Sequence, residues 1–275
     1  MDRRAFLGAA LGATAALGAS AALGALPASA DDSQPDPGRQ AGRLADPREV
    51  FRRFVERRGC RLVPAFSLVD LAAVVNGGVR FDDSGHRLER HAGRAVMQPC
   101  SRISDVLDQH RPGVLPLFTI GGVAHPSPRS PSAALSMMLS LLTRDAGLPP
   151  SGLSFTTTRL RQDDIDLLES RGFGKIRVRS VREAKQAGDG SGWFVNPVTG
   201  VGEATTAIEF TREGRTIELC ECAAATAGIG LERLGWAMGG RLPSWADRLP
   251  AALRAIRAES RGRQVPAYGI LAASV

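Results

Sequence analysis

The first strongly periodic stretch places Val50, Phe51, Phe54 and Val55 on one face of a helix that opens at Asp46-Pro47-Arg48-Glu49 and stops at Gly59. Aspartate before proline, with glutamate three positions on, is a helix start, because side chains accept the first free N–H groups and proline has none to lose. Short apolar runs follow, "CRLVP", "LAAVVNGGVRF", "RAVMQP" and "GVLPLFTIGG", bounded by glycine and proline as strands or loops of a sheet are. "SPSAALSMMLSLLTRDAGLP" predicts a helix with Leu135, Met138, Leu139 and Leu142 on one face, and Met137 and Met138 as core filler. A strand at "LSFTTTRL", a helix over about 163–170 and a strand at "KIRVRSV" come next.

"EATTAIEFTREGRTIELCEC" alternates as two antiparallel strands around a turn at Glu213-Gly214. A helix over 229–238 is entered through glycines, and "WADRLPAALRAIRAES" supplies a last amphipathic helix. No repeat is visible. This order of elements predicts an α+β fold with a mainly antiparallel sheet.

With 275 residues, 43% of them hydrophobic, the chain can bury one sizeable core or two small ones. The net charge of +7 comes almost wholly from arginine, Lys175 and Lys185 being the lysines. Arginine suits bidentate contact with phosphate or carboxylate, yet a GC-rich genome writes the same bias, so a nucleotide partner is permitted and not required. At 5% aromatic residues there is little stacking platform for nucleic acid, and "RRFVERR" reads as a helix face. Cys60, Cys100, Cys220 and Cys222 are too scattered for a disulfide framework. Cys220 and Cys222 would share a strand face, but no second pair supports zinc.

Arg3-Arg4-Ala5-Phe6-Leu7, a mild apolar stretch and Ala28-Ser29-Ala30 form a twin-arginine-type signal peptide over 1–30, implying export and no retained membrane helix. The alternative is a cytoplasmic protein whose start codon is misassigned. Residues 31–45 read as a flexible linker, 46–240 as the main domain and 241–275 as a helical tail.

Five strings in order resemble the catalytic core of alanyl-tRNA synthetase, a class II aminoacyl-tRNA synthetase: "VFRRFVERRGCRLVPAFSLV", the opening helix and strand; "VVNGGVRF" beside "FTNAGM"; "MQPCSRISD" beside "SQPCIRxxD"; "IELCE" beside "IEIWN"; and "GIGLERL" beside "GMGLERL". The resemblance runs from about Pro47 to Gly240. It implies a class II synthetase-like antiparallel sheet flanked by helices, binding ATP with Mg2+. By that resemblance Arg102 holds the α-phosphate and steadies charge, and Arg233 forks onto the terminal phosphate. Gly228 and Gly230 let backbone approach the nucleotide, and Glu218 lies near ATP and its magnesium. "GIGLER" is not a dinucleotide fingerprint, since its sixth residue is Arg233.

The chain departs from the family at telling places. The glutamate of "FFEM" is Thr119, and the aspartate of "VDTGMGLER", which binds the ammonium of alanine, is Thr226. The asparagine of "EIWN" is Glu221, which would restore a negative charge to the amino-acid pocket. Phe194 falls near the family's pocket tryptophan and Ala223 at its small valine, implying a roomier pocket. Sequence for tRNA-binding, editing and oligomerisation domains is lacking, so intact tRNA is not an expected partner. The resulting expectation is an ATP-binding domain that activates a small amino acid as its adenylate. Two alternatives stand beside it: a non-catalytic exported binding protein that kept the fold, and a secreted hydrolase centred on His125, for which no GxSxG elbow is present.

Overall fold

A computed structural model describes residues 45–70, 76–79, 81, 93–125, 132–195 and 200–274. The signal-peptide assignment and nearly all of the linker lie outside these residues. So do much of "LAAVVNGGVRF" and the segment after His125. The chain divides into two units, and all but two described residues, Gly200 and Val201, belong to the larger one.

That unit opens with α1 (Pro47–Arg57), capped by the Asp46 carboxylate accepting from the N–H of Arg48 at 2.9 Å. Gly59 follows at φ +62°, a left-handed stop that glycine takes without strain. Strands β1 (Arg61–Leu62), β2 (Arg94–Cys100) and β3 (Phe118–Ala124) precede α2 (Ala133–Ser140), whose predicted apolar face is buried and which runs on into a wider π turn at Leu141–Asp145. Then come β4 (Leu153–Thr158), α3 (Gln162–Ser170), β5 (Ile176–Arg179) and α4 (Val181–Ala187). The pair β6 (Trp193–Val195) and β7 (Gly202–Ala204) forms a separate two-stranded sheet. Strands β8 (Thr206–Arg212) and β9 (Arg215–Cys222) meet at Glu213 and Gly214, both at positive φ as a tight hairpin requires. Last are β10 (Thr226–Gly230), α5 (Leu231–Ala237), α6 (Trp245–Ser260) and α7 (Pro266–Ala272).

The main sheet has eight strands in the order β1-β2-β3-β10-β9-β8-β4-β5. Its centre is antiparallel, but both edge pairs, β1 with β2 and β4 with β5, are parallel, so the sheet is mixed. The predicted helix over 229–238 is split: residues through Gly230 pair in β10, and helix begins only at Leu231. Two flat glycines flanking a buried Ile229 suit a central strand crossed closely by its neighbours.

One face of the sheet carries the main core. Phe51 of α1 lies over Gly121, where an added Cβ would meet its ring at 2.8 Å. Leu135, Met138 and Leu139 of α2 and Leu234 of α5 complete that layer. A second core joins Trp245, Leu249, Ile256 and Leu271 of α6 and α7 to Leu68 and Val69, with Ile103, Val106, Val114 and Leu117 against them. The expected helical tail therefore packs into the same unit as the sheet.

One buried charge locks α3 to the sheet. Asp164, wholly buried, takes both Nε (2.9 Å) and Nη2 (3.0 Å) of Arg161 and the Thr206 hydroxyl at 2.6 Å. Arg161 Nη2 also reaches the Ala223 carbonyl at 3.3 Å, holding the end of β9. Removing one partner of such a pair strands the other charge away from water. Asp164→Ala is expected to lower unfolding free energy by about 3–5 kcal/mol, read by urea denaturation; a loss under about 1 kcal/mol contradicts this lock.

Candidate functional site

The face of the sheet opposite the main core is where the predicted residues meet, and an irregularity in β9 brings them there. Along β8, Ile208 is paired with Cys220 and Glu209 with Glu218, so Leu219 is an extra residue on β9. Leu219 and Cys220 consequently both belong to the core, and the alternation resumes one step out of phase. Without the bulge, Glu218 and Glu221 would point to opposite faces. With it, Glu218 and Glu221 share the open face, Glu221 standing beside Gly228 of β10.

The two arginines arrive from opposite sides. Arg102 follows β2, and its Nε donates to the Gly77 carbonyl at 2.8 Å while its guanidinium lies 5.3 Å from the centre of the Phe118 ring. Arg233 rises from the first turn of α5; its Nε donates to Gly113 O and its Nη1 to Glu218 O, each at 2.9 Å. The β9–β10 ladder ends at Cys220 and Ile229, which leaves the Glu218 carbonyl for the arginine. Its carboxylate stands 3.8 Å from Arg233 Nη1, with the side chains 27% and 30% exposed, so the pair keeps an opening to solvent.

Both arginines act on one electrostatic cluster. Burial pushes the Glu218 carboxyl above its usual range, against the pull of Arg233, the Ser191 hydroxyl and Arg102. Burial and then Glu218 push Glu221 up to about 8, while the Thr205 hydroxyl and Arg102 pull the other way. Arg233 is lowered by burial and by Arg102, with Glu218 opposing. Asp105, within "MQPCSRISD", is raised by its own burial against Arg102 and Arg233. Mutual perturbation at this density, on an open face, makes these residues the candidate functional cluster.

The loop 188–192 covers the acid pair, and sequence reasoning missed it. Gly188, Gly190 and Gly192 all have positive φ, a conformation glycine tolerates. Asp189 pins the loop to Arg179 at 2.8 Å, and Ser191 Oγ donates to Glu218 Oε2 at 3.2 Å. Thr205 Oγ1 donates to Glu221 Oε1 at 3.0 Å. The available signal was "GDGSG" itself, alternate glycines around two polar residues.

The remaining residues lie around this cluster unevenly. Phe194 is paired across the small sheet with Glu203, whose charge also bears on Glu221. Thr226 is exposed at the start of β10, and Ala223 is buried in the turn before it, its N–H donating to Thr226 O at 2.8 Å. The glycines serve the protein's own packing: a Cβ on Gly228 would lie 3.1 Å from Ile120, and one on Gly230 would lie 3.4 Å from Arg233 Cδ. Gly230 thus makes room for Arg233 to fold back. Thr119 faces the other side of the sheet, where its hydroxyl accepts from Arg48 at 2.8 Å.

Cys220 and Cys222 share a face as expected, with sulfurs 3.6 Å apart, but they are buried thiols in the core, and burial pushes Cys220 up. No group of three or more His, Cys, Asp or Glu side chains suited to a metal is found among the described residues. His125 directly follows β3, its N–H donating to the Ala225 carbonyl at 2.7 Å. Open clefts of about 750 and 560 Å³ lie by α6 and α7, away from the cluster. No described helix is long and apolar enough to cross a membrane.

No protein-family model and no curated protein matches this chain. The likeness to alanyl-tRNA synthetase therefore rests on the sequence strings alone.

The raised Glu221 carboxyl makes a prediction about pH. Its folded value near 8 exceeds the ordinary 4.5, so the folded state holds a proton the unfolded chain has released. Any stability this gives is full below about pH 4.5 and lost as pH rises through about 8. Glu221→Gln, which mimics the protonated form, should match the wild-type melting temperature near pH 4.5 and exceed it increasingly towards pH 8. A constant gap across that range contradicts the assignment.

Proposed function

We propose that this chain binds ATP between Arg102 and Arg233 and activates a small amino acid as its adenylate, in the manner of a class II synthetase core. One observation carries the reading: the guanidinium groups of Arg102 and Arg233 are each held by backbone carbonyls, Arg233 stands beside the Glu218 carboxylate, and both pull on that carboxyl. Fixed cations on a face that keeps an opening to solvent suit a polyphosphate whose charge shifts during reaction.

In this reading the amino-acid carboxylate attacks the α-phosphorus, a new oxygen–phosphorus bond forms, and the bond to the β-phosphate oxygen breaks to release pyrophosphate. Arg102, steadied by Gly77 and Phe118, faces the α-phosphate, and Arg233 holds the departing end. Glu218 fits magnesium only as one of several ligands, since the described side chains offer no closed metal set and the remaining oxygens must come with the nucleotide. Bound magnesium would neutralise phosphate charge. Little protein acid–base chemistry is required, and positioning supplies the rest.

Glu221 is proposed to replace the missing aspartate as acceptor of the amino acid's ammonium, releasing its own proton to solvent as the cation binds, since Thr226 carries no charge. Phe194 and Ala223 are proposed to border that pocket. A small molecule or carrier is proposed as the acceptor of the activated group. A second reading, an exported binding protein without catalysis, is favoured by Thr226 and by the twin-arginine segment, because ATP is scarce outside the cytoplasm.

Pyrophosphate exchange with each common amino acid tests the choice. Exchange with at least one is expected, falling about 10²–10³-fold in Arg102→Ala and Arg233→Ala, and Glu221→Gln should raise the amino-acid KM. Silence with every amino acid, together with no ATP binding, overturns activation and leaves the binding protein.

A further inference from the structure

Among the described residues the C-terminal helices donate no side-chain hydrogen bond to the arginine–glutamate cluster, yet both arginines depend on surfaces these helices provide. Arg102 begins, and Gly113 nearly ends, a loop between β2 and β3; Gly113 is the residue whose carbonyl holds Arg233 Nε. Ile103, Val106, Val114 and Leu117 of that stretch pack against the cluster formed by Trp245, Leu249, Ile256 and Leu271. The carbonyl that holds Arg102, Gly77 O, is tied in as well. Its neighbour Asn76 donates its N–H to Leu68 O at 2.7 Å, and Leu68 is in the same cluster. Val69 N donates to Glu259 Oε2 at 3.2 Å, and Arg263 Nη1 to Asp70 O at 2.8 Å, both from α6 or the turn after it.

A second tie runs directly to α5. Arg248 Nη2 of α6 donates to Glu232 Oε1 at 2.9 Å, and the other oxygen of Glu232 accepts the Thr119 N–H at 2.8 Å. Glu232 is the residue before Arg233, and its side chain is 11% exposed. A half-buried ion pair also joined to a backbone N–H fixes geometry better than a surface pair does. Arg248 Nε is buried without a hydrogen-bond partner among the described residues, and Arg48 Nη2 stands farther off, 3.7 Å from the same Glu232 oxygen.

We propose that α6 and α7 form a brace that sets the separation of the Arg102 and Arg233 guanidinium groups, through the apolar seat under residues 103–117 and the Arg248–Glu232 contact, and thereby selects the length of polyphosphate accepted. Arg248 is a positioning residue. The choice of ligand rests on the reading of the arginine pair as a phosphate clamp; the control of arginine geometry does not.

Two measurements keep those parts apart. The first, in ligand-free protein, follows solvent exchange of the Nε–H protons of Arg102 and Arg233 by NMR, since both are held by backbone carbonyls. Arg248→Met should speed Arg233 exchange at least tenfold while the melt stays cooperative, and Arg248→Lys should restore it to within threefold. Val106→Ala, a milder change in the seat, should speed Arg102 exchange in the same way. A lowered melting temperature with unchanged exchange at both arginines overturns the brace.

The second measurement compares binding of pyrophosphate and inorganic triphosphate. Wild type should discriminate between them, and Arg248→Met should reduce the discrimination at least fivefold. Binding of neither probe by wild type removes the phosphate reading, and the exchange result then decides the brace alone. Unchanged discrimination in Arg248→Met, with exchange accelerated, overturns the selection by length.

Discussion

The chemistry of this fold depends on one extra residue in one strand. Leu219 interrupts the pleat of β9, so that Leu219 and Cys220 both enter the core and Glu218 and Glu221 both leave it. An unbroken alternation would bury one of these glutamates among Phe51, Leu135 and their neighbours, at a desolvation cost of several kcal/mol. The bulge removes that conflict and concentrates acidic groups on the open face. Everything else at the site is arranged around that concentration.

Both arginines are held by main chain more than by acids. Gly77 O, Gly113 O and Glu218 O accept from them, which fixes the planes of the guanidinium groups. Backbone carbonyls do not titrate, so these contacts persist while the carboxyl groups beside them change protonation. Glu218 and Glu221 are raised chiefly by their burial, and the arginines restrain rather than cancel that effect. A site of this kind holds its cations in place before any ligand arrives. The helical tail belongs to the same arrangement, because its second core underlies the loop from Arg102 to Gly113.

What the sequence revealed was set by local physics. The α1 start, the Glu213-Gly214 turn and α6 each follow from capping, turn conformation and apolar spacing within a few residues, and the structure has all three. The parallel edge pairs did not, because strand direction depends on distant partners. The short α4, which carries a Ser180–Glu183 capping box, and α7 were also unread, since seven residues offer too little periodicity. At the site, the resemblance implied that Arg102, Arg233, Glu218 and Glu221 surround one ligand, whereas residue spacing alone gave no reason for Glu218 and Glu221 to share a face. Strict alternation puts Glu218 and Glu221 apart, and a bulge is a property of the paired strands. Thr119 shows the reverse case, a conspicuous departure in sequence that lies on the far face of the sheet.

The most direct measurement is an NMR titration of the ligand-free protein with a non-hydrolysable ATP analogue, following the arginine Nε–H signals. The account predicts that the signals of Arg102 and Arg233 move together and give one common dissociation constant, with the backbone of Glu218 shifting alongside them. Movement of one arginine without the other, or shifts confined to the clefts by α6 and α7, would contradict a single phosphate clamp on this face.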